Sequence, residues 1–289
     1  MIAHGLWSVR IFWGFIVPEG PEVRREADMI ARAIKGQSLV DIYFGLPKLK
    51  RHKNALIGAR VIEVTTRGKA LLVFFDTGGV LYSHNQLYGR WYIAAAGSQP
   101  STNRTLRVAL TTASKSALLY SASDISLLHA QEVETHPYIM KLGPDVLSEG
   151  LSWRDIGHQL LSKPFSGRSL SALYLDQSFV AGLGNYLRSE ILFAAGVNPK
   201  VRPNTLERRK VNELARATLM LSVRSYKSGG VTNDAATVKT LKKLGATKSR
   251  YRFAVFGRDG EPCYRCGDII ERETANGRRV YVCPSCQRV

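Results

Sequence analysis

Four cysteines fall within the last 27 residues of a 289-residue chain, as Cys263-x2-Cys266 and Cys283-x2-Cys286 with sixteen residues between the pairs. Each C-x2-C turn aims two sulfurs at one point. The residues between can form a hairpin that brings the second pair opposite the first. Four thiolates fill a tetrahedron, so the spacing predicts one structural Zn2+ with no position left for a catalytic water. A redox dithiol or plain buried cysteines are the other readings of the same residues. A zinc finger over 251–289 leaves most of the chain to fold by burial. Its 45% hydrophobic residues suffice for that, in two domains plus the small third.

The apolar pattern changes twice along the chain. Glu22 to Ile34 places Val23, Ala27, Ile30 and Ile34 on one helical face, with Pro21 in the first turn and Gly36 set to end the helix. From Leu39 to Ser121 short β-rich runs follow, among them 60–66, 70–75 and 90–93, separated by Gly, Asn and Asp. These predict a β-sandwich. Pro137, Gly143, Pro144 and Gly150 mark a linker, after which the period is helical over 152–161, 169–177, 185–195 and 205–225. Gly182-Leu183-Gly184-Asn185 reads as a tight turn into a helix, with Asn185 able to cap it. The stretch 227–250, rich in Gly, Thr and Lys, reads as a flexible loop.

Charge narrows the partner. Forty-one Lys and Arg against 23 Asp and Glu give +18, far from the balance of a typical small-molecule enzyme, and a polyanion is the expected partner. Residues 200–289 hold 20 basic and 8 acidic residues, so the last third is expected to meet it. Arg272, Arg278 and Arg279, between the cysteine pairs, are expected near a hairpin tip where phosphate contact or plain solvation are the two readings. The longest apolar run, 11–17, is far short of the roughly 18 residues that cross a bilayer. The expectation is a monomeric cytoplasmic protein associated with the nucleoid, with no membrane and no small-molecule cofactor.

Five motifs occur in one order: Pro18-Glu19-Gly20-Pro21-Glu22 before a helix, Thr66-Arg67-Gly68-Lys69-Ala70, His84-Asn85-Gln86-Leu87-Tyr88-Gly89, Gly182-Leu183-Gly184-Asn185, and the cysteine quartet. Together, across 18–289, they resemble the formamidopyrimidine-DNA glycosylase and endonuclease VIII family, and within it the endonuclease VIII branch. The resemblance implies an α+β fold: an N-terminal β-sandwich with flanking helices over 18–136, a linker at 137–150, a helix-two-turns-helix domain at 151–250, and the zinc finger at 251–289. It implies damaged DNA in the cleft between the halves. The implied activity is excision of oxidised pyrimidines in base excision repair, with strand cleavage by β,δ-elimination. Excision of oxidised purines is the alternative within the family. Gln-Leu-Tyr argues against it, because the purine-directed members carry Met, Arg and Phe as the gap-filling set.

By the same resemblance Pro18 supplies the amine that attacks the sugar C1′. An α-amine with a pKa of about 7.7–8 is partly neutral at pH 7, whereas a lysine near 10.4 is almost wholly charged. Glu19 is implied as the proton donor that opens the deoxyribose, Lys69 as a phosphate ligand assisting β-elimination, and Arg278 as the zinc-finger arginine that supports δ-elimination, with Arg279 its near competitor. Glu22 is a supporting residue or a plain helix carboxylate. Gln86, Leu87 and Tyr88 correspond to the wedge that fills the gap left by a flipped nucleotide. Lys141 and Asn185 correspond to backbone contacts.

Residues 1–17 depart from the family. An internal Pro18 has no nucleophilic amine, and Val17 stands where the family has Met. Valine is what a GUG start codon becomes when the reading frame is extended upstream, so residues 1–17 are expected to be a non-native extension, with Pro18 exposed after removal of formyl-Met. If Pro18 is never exposed, a non-catalytic zinc-finger DNA-binding protein is the alternative.

Overall fold

The computed structural model describes residues 17–275 and 277–288. The expectation for the upstream extension falls, Val17 apart, outside the described residues. Helix α1 (Gly20–Ile34) opens the chain and buries Val23, Ala27, Ile30 and Ile34, the face its period marks out. Val23, Ile30 and Ile34 each contribute about 1.5–3 kcal/mol when fully buried, and the Ala27 methyl less.

The helix packs on a sandwich of two four-stranded antiparallel sheets. One has the order β1 (Asp41–Phe44), β6 (Leu106–Thr111), β7 (Lys115–Tyr120), β5 (Arg90–Ala95). The other runs β2 (Val61–Arg67), β3 (Ala70–Phe75), β4 (Gly79–His84), β8 (Asp124–His129). One-turn helices α2 (Pro47–Lys50) and α3 (Lys53–Leu56) join β1 to β2. Leu71, Val73, Phe75 and Leu81 point into the sandwich with Ile30 and Trp91. Ala70, Leu72, Val80 and Tyr82 face the other way and pack under Val133 and Ile139. Burial on both faces is why β3 reads as an unbroken apolar run rather than an alternating one.

The helical half contains α4 (Trp153–Leu161), α5 (Leu170–Leu173), α6 (Asn185–Ala195), α7 (Arg208–Ser228), α8 (Ala235–Lys243) and α9 (Lys248–Tyr251). Two expectations are corrected here. The helix expected over 169–177 stops at Leu173, because Asp176 Oδ1 accepts from both the backbone N–H and the hydroxyl of Ser178 and turns the chain. The loop expected at 227–250 is largely helical. The carboxylate of Asp234 caps α8 by accepting from Thr237 N at 2.9 Å, and α8 buries no side chain.

The 137–150 stretch joins the halves as a docked strap. Its Gly143 N–H donates to Gln177 O, while Val146 N and Ala181 N exchange bonds with Ala181 O and Pro144 O. The zinc finger is a two-stranded hairpin, β9 (Glu271–Ala275) with β10 (Arg278–Val282), seated on Phe193 of α6. Among the described residues no helix is long and apolar enough to cross a membrane.

Candidate active site and DNA interface

The turn between β2 and β3 carries Lys69 and is held from across the molecule. Gly68 N donates to Asp145 Oδ2 at 2.7 Å and Lys69 N donates to the Tyr138 hydroxyl at 3.2 Å. Both anchors lie in the strap, so the strap fixes a strand turn of the sandwich half. Pro18 is half-buried at the entry to α1, and Glu19 follows it as the helix N-cap.

Glu19 joins the two halves. Its carboxylate accepts from Tyr186 N at 2.7 Å and Leu187 N at 3.3 Å, the first-turn donors of α6. The expectation that Asn185 caps α6 is therefore corrected. Gly184 is the N-cap, and Asn185 is the first helical residue. A Cβ on Gly184 would stand 2.5 Å from the Glu19 carboxyl carbon, so the carboxylate occupies the space a capping side chain would need. The cap comes from 165 residues upstream. Asn185 instead turns its Oδ1 to Arg188 at 2.8 Å.

Burial raises the Glu19 carboxyl to about 8 and outweighs the opposing Lys69 charge and the two N–H donors. The Lys69 ammonium is pushed below its usual range by the same burial; Glu19 opposes this and Arg278 reinforces it. Glu19 and Arg278 are thus both within electrostatic reach of Lys69, and Glu19 directly follows Pro18 in the chain. Glu22 lies behind them. It accepts from Glu19 N at 3.2 Å and from the Tyr186 hydroxyl at 3.0 Å, and pairs with Arg252 at 3.1 Å. Its carboxyl is also raised by burial, which Arg252 opposes.

Leu87 and Tyr88 are 56% and 60% exposed, on the loop between β4 and β5. Gln86 sits in the left-handed region, φ 50°, and its amide oxygen accepts from the Ser123 hydroxyl at 2.9 Å. The pair is therefore an exposed tip on a tied-down loop, not part of a buried strand. Lys141 is exposed at the end of a 3-10 turn in the strap. Arg278 and Arg279 are exposed at the first positions of β10, beside the hairpin tip. Arg272 is not at the tip. It lies opposite Tyr281 toward the hairpin base, with its guanidinium 3.3 Å from Asp259.

The four cysteine sulfurs lie within 4.8 Å of one another. A tetrahedral zinc with bonds of about 2.3 Å needs sulfurs about 3.8 Å apart, and Cys263 to Cys286 is 3.9 Å. The donor set fits Zn2+, with Cys263, Cys266, Cys283 and Cys286 as its ligands and no open position. The metal is structural. It stiffens the hairpin that presents Arg278.

Sequence reading missed two buried charges on α6. Arg188, completely buried, donates to Ser171 O, Asn185 Oδ1 and the Arg279 carbonyl, tying the hairpin to the start of α6. Glu190 accepts from the backbone N–H groups of Ala254, Val255 and Phe256 and from the Thr232 hydroxyl. Charged residues within Asn185–Ala195 could have signalled this only if the helix were known to be buried all round. Glu26, also missed, lines a cleft of about 780 Å³ between α1, β5 and the end of α7, and burial pushes its carboxyl up to about 7. An open groove of about 640 Å³ on the outer face of α7, over Trp153 and Met220, includes none of these residues.

A β-sandwich half whose first helix starts at Pro18-Glu19, a helical half whose α6 is capped by that Glu19, and a four-cysteine hairpin bearing arginines together have the architecture of a zinc-finger DNA glycosylase. Residues 17–123 match the formamidopyrimidine-DNA glycosylase N-terminal domain, 142–235 the H2TH domain of the same proteins, and 260–289 the zinc finger found in FPG and IleRS. Endonuclease 8 of Klebsiella pneumoniae (strain 342) is 48% identical over 271 residues, covering 94% of this chain and 100% of that one. Endonuclease 8 of Escherichia coli (strain K12 / DH10B) is 47% identical over the same shares. Lactococcus lactis Fpg in complex with DNA containing N7-benzyl-Fapy-dG has the same fold, with a TM-score of 0.78 at 24% identity over 94% of this chain and 100% of that one. The chain belongs to the formamidopyrimidine-DNA glycosylase and endonuclease VIII family, and stands with its endonuclease 8 members.

Proposed function

We propose that the chain removes oxidised pyrimidines from DNA and cuts the strand at the resulting abasic site, with Pro18 as nucleophile, Glu19 as acid, and Lys69 and Arg278 as the groups that serve elimination. The observation that carries this reading is the Glu19 carboxyl. It is buried against the α6 N-terminus, adjacent in sequence to Pro18, and raised to about 8, so it holds its proton at neutral pH. An acid in that state can protonate the deoxyribose ring oxygen as the Pro18 amine bonds to C1′, and the base then leaves. The resulting iminium withdraws electrons from C2′. Loss of a C2′ proton expels the 3′ phosphate, and a second elimination expels the 5′ phosphate. Lys69, depressed by burial, is suited to exchanging a proton beside a phosphate, and exposed Arg278 to gripping it.

Gln86, Leu87 and Tyr88 form the wedge that fills the gap left by the flipped nucleotide, with Leu87 and Tyr88 exposed at its tip. Lys141 and Asn185 hold the backbone, the latter at a helix start where phosphate is favoured. The chemistry requires Pro18 to carry a free amine, so residues 1–17 are absent from the active protein in this reading. The pyrimidine preference follows the endonuclease 8 relatives and the Gln-Leu-Tyr set.

The test uses protein beginning at Pro18. Borohydride should trap it covalently on abasic DNA, and it should release dihydrouracil and thymine glycol in preference to 8-oxoguanine opposite cytosine. Preferential 8-oxoguanine release would reverse the substrate assignment. Absence of trapping would make the protein a DNA binder. Intact mass of the native protein should begin at Pro18; a chain that retains Met1 would overturn the amine assignment.

A further inference from the structure

The loop that carries Leu87 and Tyr88 is closed at its stem and bonded to α1. The Asn85 carbonyl, of a residue 4% exposed, accepts from Gly89 N at 2.7 Å, and a Cβ on Gly89 would stand 2.6 Å from Asn85 Cα, so the two sides of the stem are in tight contact. The Asn85 side-chain amide donates to Glu26 Oε2 at 2.6 Å. Trp91, just after the loop, lines the same cleft as Glu26. One side chain of α1 thus bonds to the stem of the loop and lies beside the strand that leaves it. Glu26 stands two helical turns from Glu19, on the helix that begins at the proposed nucleophile.

We propose that Glu26 is a positioning residue: through Asn85 it holds the Gln86-Leu87-Tyr88 loop in its inserting geometry and keeps it in register with Pro18 and Glu19. The proposal rests on the reading of that loop as the gap-filling wedge. The physical need is plain. Gln86 lies at φ 50°, in a region costly for a residue other than glycine, and an exposed apolar pair at the tip gains nothing from the surrounding fold. The inserting shape must be imposed from the stem. The loop's other ties, Gln86 N to His84 Nδ1 at 3.1 Å, the Ser123 hydroxyl to the Gln86 amide oxygen at 2.9 Å and Arg104 to the Tyr88 carbonyl, come from the sandwich strands and loops, whereas the Glu26 tie comes from the helix that begins at Pro18 and Glu19.

The test compares Glu26→Ala, Glu26→Gln and Leu87→Ala in protein beginning at Pro18. Single-turnover release of dihydrouracil is measured from a duplex and from the same single strand, with 2-aminopurine beside the lesion reporting unstacking. Trapping on an abasic single strand follows the amine chemistry. Glu26→Ala should slow duplex excision by about tenfold, the equivalent of one buried hydrogen bond lost. It should also lower the 2-aminopurine rise, with single-strand excision and trapping within about twofold of the parent. Glu26→Gln should restore most of the duplex rate, since an amide can donate to a turned-over Asn85 amide. Unchanged duplex excision in Glu26→Ala overturns the proposal, as does an equal loss on both substrates, provided Leu87→Ala keeps its duplex-specific defect. Should Leu87→Ala lack that defect, the wedge reading itself falls, and the proposal with it.

Discussion

Glu19 caps a helix and, in the proposed reaction, donates a proton, and the two roles pull that proton in opposite directions. The N–H groups of Tyr186 and Leu187 favour the carboxylate, whereas burial favours the carboxylic acid and prevails, at about 8. Base excision needs the acid protonated and an α-amine of pKa about 7.7–8 neutral. The pH dependence of kcat/KM should therefore be a bell with its maximum near pH 8, falling on the alkaline side as Glu19 ionises and on the acid side as the amine protonates. Glu19→Gln should lower excision by about 10²–10⁴-fold and abolish the alkaline limb, while trapping on a preformed abasic site survives. Gly184→Ala places a methyl group 2.5 Å from the Glu19 carboxyl carbon. It should reduce excision at least as much as it reduces stability, read by single-turnover kinetics beside a thermal melt.

Among the elements, α6 carries the heaviest set of tasks. Its start receives Glu19, its first turn bears Asn185, and its buried Arg188 and Glu190 hold the zinc hairpin and the 254–256 segment. Both of its boundaries could be read from the chain, because Gly184 and Gly196 punctuate it. Its buried charges could not, because a helix enclosed on all sides shows no polar face by which to place Arg188. Replacing Arg188 with Met leaves the carbonyls of Ser171 and Arg279 and the Asn185 amide oxygen without their donor. The expected cost is about 2–5 kcal/mol, measured by denaturant unfolding. Helix α8 is hidden differently: it buries no side chain, and its short apolar spacing of Val238 and Leu241 lies inside a Gly, Thr and Lys-rich stretch that reads as loop despite the Asp234 cap.

At the scale of the whole molecule, the two halves meet through a few long-range bonds. Gly20 N to Gly182 O, Asp28 to the Tyr226 hydroxyl, and Glu22 to Arg252 join α1 to the helical half. Chelation of zinc should release the hairpin bearing Arg278 and Arg279 while leaving the sandwich folded. Circular dichroism should then retain its β signal as DNA affinity falls. Affinity for undamaged duplex should decline steeply with salt, as expected when a chain of net charge +18 displaces counterions, and Arg278→Ala should reduce the logarithmic slope by about one.

The sequence alone determined what depends on neighbours along the chain. Zinc ligation follows from two C-x2-C turns, the sandwich and helices from their periods, and the polyanionic partner from summed charge. It also marked Pro18, Glu19 and Lys69 by motif. Only the tertiary structure decided what those residues experience. Glu19 holds its proton because burial outweighs the N–H donors of α6, Gly184 is a glycine because Glu19 fills its place, and Glu26 reaches the loop because α1 passes beside Asn85. Burial and hydrogen bonding across 59 to 167 residues of chain set these properties, and no local pattern encodes a distance that only packing creates.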